Sequence, residues 1–123
     1  MTNINIGEAE LEIMKVVWNA NEPIGSTAIG KAVEEKGWKR TTIATFLARL
    51  VEKGALSAER HGKAWYYTPI LTAKAYKKSQ VKSLIKNLFD GSAEKLVAAL
   101  FEEEQFSDND IKELRAIFED KEV

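Results

Sequence analysis

Residues 38–54 read Trp38-Lys-Arg-Thr-Thr-Ile-Ala-Thr-Phe-Leu-Ala-Arg-Leu-Val-Glu-Lys-Gly54, and this stretch decides the fold. With Ile43 set at zero and each residue advanced by about 100 degrees, Phe46, Leu47, Leu50 and Val51 fall within about 80 degrees of it. That is a core-facing stripe, and it predicts a helix from about Arg40 or Thr41 to Lys53, stopped by Gly54. The opposite face carries Thr41, Ala44, Thr45, Ala48, Arg49 and Glu52. Four of those six are short, whereas a solvated helix face normally carries long charged side chains. Lys39 and Arg40 stand at the start of the helix, and Trp38 just before it is placed to buttress it.

The chain before this helix supplies two more. Ile6, Ala9, Ile13, Met14, Val17 and Trp18 recur at helical spacing, predicting a helix over about 8–19 that is broken by Asn21-Glu-Pro-Ile-Gly25. Ser26 stands where an N-cap belongs, ahead of a short helix of about ten residues with Ile29, Ala32 and Val33 on one face and Gly37 as its stop. Behind the helix of residues 40–53, the runs 56–60 and 64–68 flank His61-Gly62-Lys63 and read as a β-hairpin closed by Pro69. Three helices followed by a hairpin form the order of a winged helix-turn-helix, placed in residues 1–70. The fold class expected is mainly α with a small β-hairpin wing.

Residues 71–123 read as helical throughout. One helix is expected from about Thr72 to Leu88, a second over 93–104 after Asp90-Gly91-Ser92, and a third from Asp108 to about Asp120. Ser107 and Asp110 have the spacing of a capping box, and Phe106 and Ile111 that of a hydrophobic staple. About fifty residues in three amphipathic helices are too few to enclose a core. Their stripes must fold back on the first part or pair with a second copy, and the second is preferred because the winged helix already has a sealed core. The expected dimerisation positions are Leu84, Leu88, Leu96, Val97, Leu100, Phe101, Ile111, Leu114 and Phe118.

A formal net charge of −1 conceals a strong segregation. Residues 1–35 hold two Lys/Arg against six Asp/Glu, residues 36–86 hold twelve against two, and residues 87–123 hold four against eleven. A basic centre between acidic flanks is the pattern of a phosphate-binding patch. Lys74, Lys77, Lys78, Lys82 and Lys86 read as a solvated lysine-rich helix, which leaves seven positives to account for. Short side chains let a helix backbone approach base edges in the major groove, where methyls meet thymine and hydroxyls meet base or phosphate oxygens. The candidate contacts to double-stranded DNA are therefore Lys39, Arg40, Thr41, Ala44 and Thr45, with Arg60, His61 and Lys63 at the hairpin tip. Arg49, at the edge of the outward face, either reaches a phosphate or pairs with Glu52 or Glu12. Ser26 and Thr27 either donate to a phosphate or simply cap their helix.

Other chemistries are excluded or discounted. The chain has no cysteine and one histidine, so thiolate metal sites and disulfides are out, and His61 reads as a wing contact rather than a ligand. No cofactor, metal or catalytic arrangement is expected, and the carboxylates at 102–104 read as a solvated face; the chain is not expected to be an enzyme. Trp18, Trp38, Trp65, Tyr66 and Tyr67 suggest a platform for single-stranded nucleic acid, but helix and strand periodicity turn several of them inward. No stretch approaches a membrane span, and a cytoplasmic location is expected.

The run from Trp38 to Gly54, with residues 10–18 ahead of it, Gly62-Lys-Ala-Trp-Tyr-Tyr-Thr-Pro69 behind it and Ile111-Lys-Glu-Leu-Arg-Ala-Ile117 at the end, resembles the penicillinase-repressor family of the BlaI and MecI type. The resemblance covers nearly the whole chain. It implies a homodimer on a palindromic operator that blocks transcription, dimerised through its C-terminal helices, with DNA contact at Arg40, Thr41, Thr42, Ala44 and Thr45. Some members carry an arginine on the recognition helix where this chain has Ala44, which implies a different operator. Copper-responsive relatives carry C-terminal cysteine motifs that this chain lacks. Members released by a sensor peptidase are cut at an Asn-Phe bond, and Ala99-Leu100 stands at the corresponding position, so that partner is implied only by the resemblance. The competing reading from another class is a winged-helix protein-interaction module whose basic centre meets an acidic partner.

Overall fold

The computed structural model describes residues 4–102 and 107–119 and divides the chain into two compact units, Met1–Ser79 and Gln80–Val123. The first unit contains α1 (Glu8–Ala20), β1 (Ile24–Gly25), α2 (Ser26–Ala32), a 3₁₀ turn at Glu34–Lys36, α3 (Arg40–Glu52), β2 (Leu56–His61) and β3 (Ala64–Pro69). Helix α4 (Ala73–Leu88) runs across the division, and α5 (Ala93–Glu102) and α6 (Asp108–Glu119) belong to the second unit.

The core of the first unit is built by residues whose helical spacing announced it, joined by Ala55 and Leu56, which no periodicity marked. Ile13, Met14 and Val17 of α1, Ile29 of α2, Leu47 and Leu50 of α3, and Ala55 and Leu56 at the start of β2 are fully enclosed. Each large aliphatic side chain buried this way contributes about 1.5–3 kcal/mol. Ile43, Phe46, Trp38, Tyr67, Leu71 and Tyr76 pack around them partly buried. Trp18 joins this rim; its indole Nε1–H donates to the Leu71 carbonyl at 2.8 Å, and its ring lies 5.9 Å from that of Tyr76.

Several local expectations need correction. Helix α2 is shorter than ten residues because the backbone tightens into the 3₁₀ turn after Val33, before Gly37 closes it at φ +71°. Its N-cap is Gly25 and not Ser26, since Gly25 is held extended by pairing with β3 and the helix starts directly after it. Ala32 is exposed beside the buried Val33, and Val51 is 37% exposed. A helical wheel supplies a direction, whereas burial also needs a neighbouring element at that height.

The hairpin is longer than predicted. Strands β2 and β3 pair antiparallel from Leu56↔Pro69 to His61↔Ala64, so His61 lies in a strand and the turn is Gly62-Lys63 alone. A two-residue turn of this kind needs positive φ at its first central position, and Gly62 supplies it at +68°. The segment read as a simple break contains β1, which pairs with β3 (Ile24↔Tyr67, Gly25↔Tyr66) and makes a three-stranded sheet in the order β1-β3-β2. The Tyr66 ring lies against Gly25, where a Cβ would make ordinary contact with it at 3.4 Å.

The predicted boundaries of the later helices follow their caps. Thr72 Oγ1 accepts from the Ala75 N–H at 3.1 Å and Ser92 Oγ from the Lys95 N–H at 3.2 Å. At α6, Ser107 Oγ accepts from Asp110 N–H while the Asp110 carboxylate accepts from Ser107 N–H, both at 3.1 Å, a reciprocal capping box. Phe106 and the side chain of Ile111, expected to form its staple, lie outside the described residues. Within the second unit Ile85 and Leu96 are buried, Val97 and Leu100 half-buried, and Leu84 and Leu88 remain 39% and 69% exposed. The side chains of Phe101, Leu114 and Phe118 also lie outside the described residues. No helix among the described residues is long and apolar enough to cross a membrane.

Candidate nucleic-acid interface

Helix α3 is fastened at both ends, and the fastening leaves its outer face open. At its start the Trp38 indole meets the Phe46 ring edge-on, with centroids 5.2 Å apart and planes at 71°. At its end, Gly54 N–H donates to Val51 O at 3.0 Å and Ala55 N–H to Leu50 O at 2.9 Å, with Gly54 left-handed at φ +85°. This double closure is a Schellman motif, and it turns the chain directly into β2.

A charged clasp adds to it. Lys53, the C-cap residue of α3, donates from Nζ to the Asn5 carbonyl at 2.7 Å and to the Glu10 carboxylate, while the same carboxylate accepts from the Gly7 N–H at 2.9 Å. Glu10 is only 5% exposed. Burial pushes its carboxyl up, but the Lys53 ammonium, the Gly7 N–H and the nearby Arg49 charge outweigh that and hold it below the ordinary carboxylate value. Neither Glu10 nor Lys53 was singled out from the sequence. The signal was present, since Glu10 falls within about 60 degrees of Ile13 on the buried stripe of α1, and a carboxylate there demands a partner.

The outer face is as the periodicity predicted. Lys39, Arg40, Thr41, Ala44, Thr45, Ala48 and Arg49 are exposed, and Thr42 is half-buried at the flank. Thr45 Oγ1 donates to the Thr41 carbonyl at 3.0 Å, which pins its rotamer. Arg49 does not take Glu12, whose carboxylate is engaged by Lys15 at 3.6 Å and Lys36 at 3.9 Å. The N-terminus of α2 presents an exposed Thr27 and a half-buried Ser26, with no side-chain cap.

The β2–β3 hairpin carries two clusters on opposite faces. On the face shared with Leu56 and Tyr67, Arg60 stands opposite Trp65, its guanidinium 5.8 Å from the ring centre and its Nε–H donating to Gly62 O at 3.0 Å. On the other face His61 lies edge-on to Tyr66 at 5.4 Å with its Nε2 3.7 Å from Glu59. Lys63 is exposed in the turn. Among the described residues no group of three or more His, Asp or Glu side chains is arranged to hold a metal.

Helices α2 and α3 joined by a tight turn, with a hairpin following α3 and β1 closing the sheet, define a winged helix-turn-helix protein. Residues 6–120 match the model of the Penicillinase repressor family, and the chain belongs to that family. It is 32% identical over 115 residues to the penicillinase repressor of Bacillus licheniformis, covering 94% of this chain and 90% of that one. It is 28% identical over 116 residues to the methicillin resistance regulatory protein MecI of Staphylococcus aureus (strain N315), covering 94% of each. Among solved structures, the solution structure of Bacillus licheniformis BlaI, monomeric form, in complex with the blaP half-operator superposes with a TM-score of 0.53 at 37% identity, covering 62% of this chain and 94% of that one.

Proposed function

We propose that this chain is a DNA-binding transcriptional repressor acting as a homodimer on a palindromic operator, with α3 in the major groove and the β2–β3 wing beside it. The outer face of α3 carries the reading: Thr41, Ala44, Thr45 and Ala48 are short and exposed, Lys39 and Arg40 stand at its start, and both ends are anchored. A rigid helix with a low outer face and a basic entrance suits approach to base edges. Arg40, Thr41, Thr42, Ala44 and Thr45 are assigned to base edges, and Lys39, Arg49, Arg60, His61 and Lys63 to the backbone. The similarity to a repressor solved on its half-operator supports this assignment.

Residues 1–70 act as the reader and residues 71–123 as the dimerisation region, with the exposed Leu84 and Leu88 contributing to the seam. Two-fold pairing suits a palindrome, because each subunit then reads one half-site. The protein acts in the cytoplasm, where such an operator is reached. Release by a sensor peptidase would require a bond other than Asn-Phe, since Ala99-Leu100 occupies that position.

Titration of duplex DNA across a salt series tests the function. The expected log–log slope is about −0.9 per neutralised phosphate. Selection from random duplexes should recover inverted half-sites. Flat, undetectable duplex binding at low salt refutes the reading and favours an acidic protein partner.

A further inference from the structure

We propose that Trp65 is a positioning residue of the wing, holding the Arg60 guanidinium in place for the DNA backbone; this rests on the DNA reading above. The observation is a set of three contacts within one turn of hairpin. Arg60 and Trp65 are directly opposed across β2 and β3, the guanidinium lies over the indole at 5.8 Å, and Nε–H is tied to the Gly62 carbonyl at 3.0 Å. An arginine has five N–H donors, so fixing Nε leaves the four Nη donors at the free end of a side chain already aimed.

Three features separate this arrangement from packing. Trp65 is 43% exposed and takes no part in the core cluster, whereas its strand neighbour Tyr67 does. The nearest acid in sequence, Glu59, sits on the other strand face with His61, leaving the Arg60 face to the indole. And the turn that supplies the Gly62 carbonyl is the two-residue turn at the wing tip, so the guanidinium, the one Lys/Arg charge of β2, is tied to the tip itself. An arginine free to wander must be ordered when it meets a phosphate; one already stacked and bonded has lost that freedom in advance.

The test is a double-mutant cycle on the full chain, reading affinity for the selected operator across a salt series together with the melting temperature. Trp65→Leu is expected to weaken binding about two- to tenfold with the salt slope close to that of the parent, since the freed Arg60 still neutralises its phosphate once ordered, and with the melting temperature of the exposed-site variant close to that of the parent. Trp65→Phe, which keeps a ring face, is expected to retain most of the affinity. In an Arg60→Ala background, Trp65→Leu is expected to have no further effect. The proposal is overturned if Trp65→Leu leaves affinity unchanged, or if it costs the same factor whether or not Arg60 is present, since Trp65 would then act on DNA by itself. Failure of the parent chain to bind any duplex in the same titration overturns the DNA reading and this proposal with it, and is distinguished from the other outcomes by the parent curve.

Discussion

Replacing Glu10 by Gln should remove the charge from the clasp while keeping its shape. The amide oxygen can still accept from Gly7 N–H, so the loss is confined to the bond from Lys53. A hydrogen bond to a charged group contributes about 1.5–3 kcal/mol. Lys53 is partly in water, which screens the pair, and the expected cost is about 1–2 kcal/mol at neutral pH. The pH dependence gives a sharper signature. The Glu10 carboxyl titrates lower in the folded chain than an ordinary glutamate, so its contribution is fully present above the ordinary carboxylate range and is lost as pH falls through the lowered folded value. The gap between parent and Glu10→Gln should therefore narrow on acidification, while Gln itself does not titrate. Urea unfolding followed by tryptophan fluorescence is suitable, since Trp18, Trp38 and Trp65 all lie in the first unit. A gap that stays constant from neutral pH to about pH 3, or a Gln variant as stable as the parent, would refute the clasp.

Other consequences are quicker to check. Gly54→Ala meets no atom within 4 Å but must hold φ +85°, so it should cost about 1 kcal/mol and lower the melting temperature by about 4–8 °C; an unchanged melt would show that the left-handed turn is not required. Arg40→Ala should weaken operator binding by about 1–3 kcal/mol and relax preference at one base position, measured by anisotropy on variant duplexes; unaltered affinity and preference remove Arg40 from the reading set. Leu88→Glu, at the most exposed large apolar position among the described residues, should shift the sedimentation mass from dimer to monomer, and an unchanged mass would exclude that position from the seam.

Most of the fold could be read from periodicity because its helices bury one stripe each. Ile13, Met14 and Val17, and Leu47 and Leu50, announced α1 and α3 as core elements, and Ser107 with Asp110 announced the start of α6. What escaped was non-local or too short to have a period. Strand β1 is two residues long and exists only because β3 arrives beside it. The bond from Lys53 to the Asn5 carbonyl joins positions 48 residues apart, so no window of sequence holds both ends. Local geometry hid the rest: His61 looked like a turn residue because the turn closes on Gly62 and Lys63 alone, and Val51, at the edge of the stripe, has no neighbour to cover it. The outer face of α3 was legible because unusual composition, four short residues together, survives without knowledge of the partner elements.

The hydroxyl of Thr45 is already spent on the Thr41 carbonyl. While that bond stands, the only proton on the side chain is committed and its oxygen retains lone pairs alone. Opposite such a group, guanine O6 and N7 and thymine O4 find no donor, whereas the amino groups of cytosine and adenine find an acceptor and the thymine methyl finds a methyl. If Thr45 faces a base as proposed, a threonine in this rotamer narrows the alphabet of one operator position before any DNA is present, and a serine there would keep the bond to the Thr41 carbonyl but forfeit the methyl.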